Sequence, residues 1–245
     1  MDVPKSHPRY ESLKKREALL DFYGKGIVTI SGLISHGRGE AFDYILGEKT
    51  QDFAYEAEKA ALEKMILSKR AVISVNGNTA ALAGEEIVSF AKKYGFIVEA
   101  NIFYWSKERM ENIVGYFKGL GLDVLGLNQD ALIPGLESSR GKCETEGIFS
   151  ADTVLIPLED GDRAEALKKM GKFVIAIDLN PLSRTSRSSD ITILDDVQRA
   201  FRNLTRFEEE EFIGKLSSFD NESNIKRSLA FLGNRLTSMT EWPEL

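Results

Sequence analysis

From residue 71 onward the chain alternates short apolar runs with helix-length segments, and this alternation limits the fold more than any other feature. Residues 71–75, 96–103, 122–125, 154–158, 173–177 and 191–194 read as strands. Residues 79–94, 106–120, 163–170 and 197–204 read as helices, the first two capped by Asn78 and Ser106. Strands alternating with helices build a mostly parallel, Rossmann-like sheet with helices on both faces, an α/β fold. The connection 126–149, with Pro134-Gly135 inside it, is the long interruption.

The flanks do not share the pattern. Residues 10–23 and 52–68 read as helices, the first ended by Gly24 and Gly26. Residues 27–30 read as a short extended piece, and residues 35–42 as a polar, glycine-bearing loop. After an acidic run at 208–211, Ile225, Leu229, Leu232 and Leu236 recur at helical spacing, which predicts an amphipathic helix. The expected organisation is a helical region 1–70 packed on a nucleotide-binding core 71–204, followed by a helical extension 205–245.

In an open α/β sheet, ligands bind outside the carboxyl ends of the strands. Two such ends are polar here. Asp178, Asn180, Ser183 and Arg184 follow the run 173–177, a set suited to a nucleotide: acid for ribose, amide for a base edge, guanidinium for phosphate. The same Asp and Asn also suit a Pro-containing turn that they cap locally. Glu159, Asp160 and Asp162 follow the run 154–158, and acids so close repel one another unless a cation sits among them. Magnesium on a triphosphate meets that need, and helix capping by Asp160 or Asp162, which is common, explains the same acids. Asn76-Gly77-Asn78-Thr79 joins a strand to a helix start, where backbone N–H groups favour an anion and where a plain N-cap also fits. Glycines flank Arg38, so the backbone there can approach a ligand closely or form a flexible exposed loop.

A net charge of −6 gives no global basic field for nucleic acid. One cysteine, Cys143, allows no internal disulfide, which fits a reducing, cytoplasmic setting. The polar first 17 residues hold no apolar core of a signal peptide, and no run of about 18 apolar residues predicts a membrane span. The G-x-x-x-x-G-K-S/T loop of triphosphatases is missing, as are the G-x-G-x-x-G dinucleotide turn, H-E-x-x-H and G-x-S-x-G.

The stretches SHPRYESLKKRE (6–17), HGRGEAFDYILGEKT (36–50), ISVNGNTAAL (73–82), IPGLESSRGK (133–142), VLIPLEDGDRAEAL (154–167) and IAIDLNPLSRTSR (175–187) resemble the archaeal phosphopantothenate synthetase family, the 4-phosphopantoate–beta-alanine ligases. The resemblance runs over about residues 6–204 and leaves the tail from 205 without a placed counterpart. It implies a Rossmann-like homodimer in coenzyme A biosynthesis that joins 4-phosphopantoate to beta-alanine while ATP becomes AMP and pyrophosphate. It places ATP contacts on Arg16, Arg38, Asp178, Leu179, Asn180, Arg184, Thr185, Asp196 and Val197. The chain reads Asp195-Asp196 where that family commonly has Asp-Asn, a departure that bears on the side-chain contact there. With this activity, Arg38, Asp160 and Asp162 are the candidate catalytic groups. Asn76, Asn78, Arg140, Lys142 and Arg163 are candidates for the phosphorylated substrate, and Glu159 and Asp160 for Mg2+. A nicotinamide-dependent dehydrogenase and a non-catalytic ATP-binding regulator are the competing readings; the first lacks its glycine fingerprint.

Overall fold

A computed structural model of the chain describes residues 4–238. Five parallel strands form the sheet: β1 (Ala71–Val75), β2 (Ile97–Ala100), β5 (Thr153–Pro157), β6 (Phe173–Ile177) and β7 (Ile191–Ile193), in the order β2-β1-β5-β6-β7. The chain moves outward from β1 to β2, then crosses to the other side of β1 for β5. The carboxyl ends of β1 and β5 therefore flank a switch point, where a crevice opens in sheets of this kind.

Strand residues alternate between two cores. Ile73, Val75, Leu155, Ile175 and Ile177 face a large cluster with α1 (Tyr10–Gly24), α3 (Asp52–Leu67), α4 (Gly77–Tyr94), α5 (Lys107–Gly119) and α8 (Val197–Arg206). Val72, Val154, Ile156, Val174 and Ala176 face a smaller one, covered by α6 (Gly161–Lys169) and by Ile133, Cys143 and Ile148 of the long connection. These strand residues are fully buried, and each large aliphatic one is worth about 1.5–3 kcal/mol of apolar burial.

Several boundaries differ from the sequence expectation. Residues 35–42 are not a loop but the middle of α2 (Ile30–Leu46). Thr29 starts that helix by accepting a hydrogen bond from Gly32 N, and Gly47 ends it with a left-handed φ of 93°. Residues 27–30 form no strand; residues 27–29 lie in the bend between α1 and α2, and Ile30 opens α2. Residues 122–125 contribute only a single bridge, Glu99 to Leu125. The cap of α4 is Asn76, two residues earlier than expected; its Oδ1 accepts from Thr79 N at 3.1 Å.

The long connection holds an antiparallel pair, β3 (Ala131–Leu132) and β4 (Lys142–Cys143). It is moored by side chains of β2 and the residue just beyond it. Glu99 accepts from the backbone N–H groups of Glu144 (3.1 Å) and Ile148 (2.6 Å), and Asn101 Nδ2 donates to the carbonyls of Arg140 and Lys142. A Cβ on Gly147 would collide with the Glu99 carboxylate, so glycine permits this mooring. After α7 (Arg184–Ser188) and the short α9 (Glu209–Phe212), the tail forms α10 (Asn221–Ser238), the amphipathic helix expected from spacing. α10 packs on α2, α3 and β7; Leu232 is buried, whereas Leu236 is exposed.

Candidate active site

A cleft of about 1420 Å³ runs along the carboxyl edge of the sheet. Small-molecule pockets usually measure about 300–1,000 Å³, so this one has room for two substrates. Its walls come from α1 and α2 on one side. On the other are the turns that leave β1, β2, β5, β6 and β7.

At the β6–β7 end, Asp178 Oδ1 accepts from Asn180 N (2.9 Å) and its Oδ2 from the Ser183 hydroxyl (2.5 Å), while Asn180 Oδ1 accepts from Leu182 N. Burial raises the Asp178 pKa. The acid and amide thus shape the turn while lining the cleft beside Leu179. Asp196 caps α8, accepting from Gln198 N and Arg199 N, and pairs with Lys15 of α1 at 2.9 Å. Burial acts to raise its pKa, but Lys15 and Arg199 outweigh that and hold it below the ordinary range. Arg199 bridges Asp43 of α2 (2.5 Å) and Asp195 (2.6 Å). Asp195 is pushed up by burial, and its Oδ2 accepts from the Thr50 hydroxyl. Val197 lines the same wall. Thr185 donates its hydroxyl to Glu159 O at 2.7 Å, and Arg184 pairs with Glu165 at 3.0 Å.

On the facing helix, Arg38 is exposed to the cleft and, among the described residues, bonds only Ser35 Oγ, at 3.2 Å. Arg16 does not line the cleft; it pairs at 2.7 Å with Glu40, which does. His36, half-buried between them, has its pKa lowered by burial and so stays neutral near pH 7.

At the β1–β2 end, the switch point is closed by Asn76, whose Nδ2 donates to the carbonyls of Pro157 and Leu158. Leu158 adopts a left-handed φ of 52°, a costly conformation for a leucine. Asn78 Nδ2 donates to Gly32 O at 2.8 Å, tying α4 to α2. Glu159 is buried between two guanidiniums: it pairs with Arg140 and with Arg163 Nη1, which also donates to Ser74 Oγ at 2.9 Å. Burial lowers both arginines to about 10, leaving them charged at neutral pH. Arg140 lines the cleft and also reaches exposed Asp160, Nε to Oδ2 at 3.3 Å. Asp162 lines it too, accepting from Arg163 N.

Two of the expected substrate residues lie off the cleft. Arg163 has no exposed surface and sits beneath the floor, and Lys142 stacks over the Trp105 ring at 4.6 Å. Among the described residues no group of three or more His, Cys, Asp or Glu side chains converges to hold a metal ion. Glu159, engaged by two arginines, has no free oxygen pair for one. Asp160 and Asp162, exposed at the rim, fit an ion that arrives on a triphosphate and keeps most of its water.

Lys15, Asp43, Arg109 and Arg199 line the cleft without having been singled out in the sequence. Only Arg199 carried a local signal, standing four residues after Asp195 on a helix start.

Comparison with known proteins places the chain in a family. The profile of the phosphopantothenate/pantothenate synthetase family matches residues 53–235. A 4-phosphopantoate–beta-alanine ligase of Thermococcus kodakarensis is 44% identical over 250 residues, covering 98% of this chain and 96% of its own. That of Methanospirillum hungatei is 44% identical, covering 98% and 100%, and that of Methanosarcina mazei is 42% identical, covering 97% of each. The tail left unplaced by the sequence reading is therefore largely shared with these relatives. The chain belongs to the phosphopantothenate/pantothenate synthetase family.

Proposed function

We propose that this protein is an ATP-dependent ligase that condenses 4-phosphopantoate with beta-alanine to 4′-phosphopantothenate, releasing AMP and pyrophosphate, in coenzyme A biosynthesis. The observation that carries this reading is the cleft. One cavity joins a nucleotide-type strand end (Asp178, Leu179, Asn180) to a cationic end (Arg140, with Asn76 and Asn78), and Arg38 reaches in from α2. The relatives' shared name supports the substrates.

A carboxylate is a poor acyl donor. In the proposed route its oxygen attacks the α-phosphorus of ATP, expelling pyrophosphate and giving an acyl adenylate. Negative charge grows on the α-phosphoryl oxygens, and Arg38, whose guanidinium no carboxylate among the described residues holds, is free to offset it. Arg16 steadies that helix face through Glu40, and Arg184, Thr185, Asp196 and Val197 shape the nucleotide end. Mg2+, carried in on the phosphates, supplies further charge neutralisation near Asp160 and Asp162. The amine of beta-alanine, which as an ammonium titrates near ~10 by analogy with lysine, must lose a proton before it attacks the acyl carbon. Asp160 and Asp162 are the carboxylates at hand, and Arg163 holds Glu159, which in turn holds Arg140.

We further propose a cytoplasmic homodimer. Ile30 and Ile34 on the outer face of α2 are exposed beside Tyr104 and Trp105, an apolar surface that a second copy would cover. No helix among the described residues is long and apolar enough to cross a membrane.

The test is AMP release from MgATP, with 4-phosphopantoate present and beta-alanine supplied or withheld. AMP formation that needs both supports the ligase. ATP binding without AMP under any condition overturns it in favour of a non-catalytic nucleotide binder.

A further inference from the structure

Arg109 lines the cleft where β2 gives way to α5. It is half-buried, and two of its nitrogens are fixed: Nε donates to Ile27 O at 2.8 Å and Nη1 to Tyr104 O at 2.9 Å. Both partners are neutral carbonyls. They orient the guanidinium but leave its charge uncompensated. The other buried or half-buried arginines of the cleft, Arg140 and Arg199, each pair with carboxylates. Among the described residues Arg109 pairs with none. A cation withdrawn from water without a counter-ion is costly, and the usual remedy is an anion.

The remaining edge of Arg109 faces the start of α4. A Cβ on Gly77 would lie 2.8 Å from Arg109 Nη2 and would collide with Ile27 O, so only glycine lets the guanidinium lie across that helix start. Of the first-turn amides of α4, that of Thr79 is taken by the Asn76 cap; those of Gly77 and Asn78 have no partner within the helix and add partial positive charge there. The charge of Arg109 is also felt at Arg140 across the same end of the cleft.

We propose that Arg109, with Arg140 and the first turn of α4, forms the seat of a phosphomonoester dianion, and that Arg109 makes the enzyme select 4-phosphopantoate over unphosphorylated pantoate. This rests on the ligase reading above. The family description spans phosphorylated and unphosphorylated products, so a dedicated phosphate seat distinguishes between them in this chain. The phosphates of ATP share the same chemistry. They are disfavoured because the nucleotide-type residues cluster at the opposite, β6–β7 end of the sheet.

The experiment compares wild type with Arg109→Gln and Arg109→Lys. It measures KM for 4-phosphopantoate, for pantoate and for ATP, calorimetric binding of 4-phosphopantoate, and thermal unfolding. The proposal expects KM for 4-phosphopantoate to rise about 10- to 100-fold in Arg109→Gln, the loss expected for a charge-assisted contact. Selectivity over pantoate should fall by a similar factor while KM for ATP stays within about twofold. Arg109→Lys, which keeps the charge without the fork, should show a smaller loss, and it decides the matter should the Gln variant not fold. An unchanged KM for 4-phosphopantoate in both variants overturns the proposal, as does a rise confined to KM for ATP. If wild type releases no AMP, the ligase reading fails on its own. Calorimetry then decides the seat: binding lost in the variants upholds it, while equal binding, or none by wild type, overturns it.

Discussion

At the β6–β7 end of the cleft, Lys15 and Arg199 lie among Asp43, Asp195 and Asp196. At the β1–β2 end, Arg140 and Arg163 share Glu159, and Arg109 adds a third guanidinium that pairs with no carboxylate among the described residues. One end is a closed network with more acids than bases; the other keeps a cation in reserve. The closed network joins α1, α2, the α8 start and, through Thr50, the segment before α3. Its charges are committed to holding helices together. Arg38 and Arg109 are held by neutral oxygens, so their charges remain available to a ligand. Mutation should separate these two kinds of arginine: loss of stability for the first, loss of function for the second.

The largest effect is expected for Arg199→Met. It leaves Asp195 buried without its cation and Asp43 with only the longer contact to Lys15 at 3.9 Å, and breaking such a pair costs about 3–5 kcal/mol. Chemical denaturation should show it. A stable Arg199→Met variant with impaired ATP binding would mean that the closed network serves the ligand after all.

Arg38→Ala should do the reverse. Losing a cation that acts at the reacting phosphorus costs about 10²-fold in kcat, by analogy with loss of one oxyanion-hole donor. Among the described residues the exposed side chain bonds only Ser35, so the unfolding free energy should move by less than about 0.5 kcal/mol. Single-turnover AMP formation beside a denaturation curve tests both halves.

A pH effect comes next. Burial pushes Glu99 up to about 7 from an ordinary 4.5. The folded state then binds a proton more tightly than the unfolded chain between these values, so the Glu99 contribution to stability grows as pH falls from 8 through 7. Wild type should therefore gain stability relative to Glu99→Gln between pH 8 and pH 6, by about 1–2 kcal/mol. A flat difference would show that the mooring carboxylate is ionised throughout.

The smallest effect belongs to Lys142→Met. Its ammonium stacks on Trp105 outside the cleft. An exposed contact of this kind is worth about 0.5–1 kcal/mol, so KM for 4-phosphopantoate should change less than about fivefold. A larger change would place Lys142 with the reserve cations of the β1–β2 end.

Much of this was readable in the sequence, for reasons that differ by element. Residues 71–75 and 173–177 were legible because a strand buried on both faces needs an unbroken apolar run. The polar turns at 159–162 and 178–184 were legible because ligand chemistry follows strand ends. Helix α2 was not. Gly37 and Gly39 each cost a helix about 1 kcal/mol relative to alanine, so local propensity favoured a loop. What overrides it is the Thr29 cap, the Gly47 stop and packing against α1, α4 and α10, much of which lies far along the chain. Lys15 with Asp196 and Asp43 with Arg199 were illegible for the same reason: their partners stand more than 150 residues away. Arg109 was illegible as a site residue because its partners are carbonyls, which every residue type provides.

The mooring of the long connection has a consequence for how such enzymes diverge. Glu99 and Asn101 grip the loop by its peptide groups, at Glu144, Ile148, Arg140 and Lys142, and read almost none of its side chains. Substitutions at the exposed positions within residues 126–149 can therefore accumulate without moving the Arg140 backbone, provided Gly147 stays small and Ile133, Cys143 and Ile148 keep the second core filled. The exposed side of the loop that borders the substrate end is free to change and acquire new preferences while its buried face and its anchor points, written into the neighbouring strand, stay put.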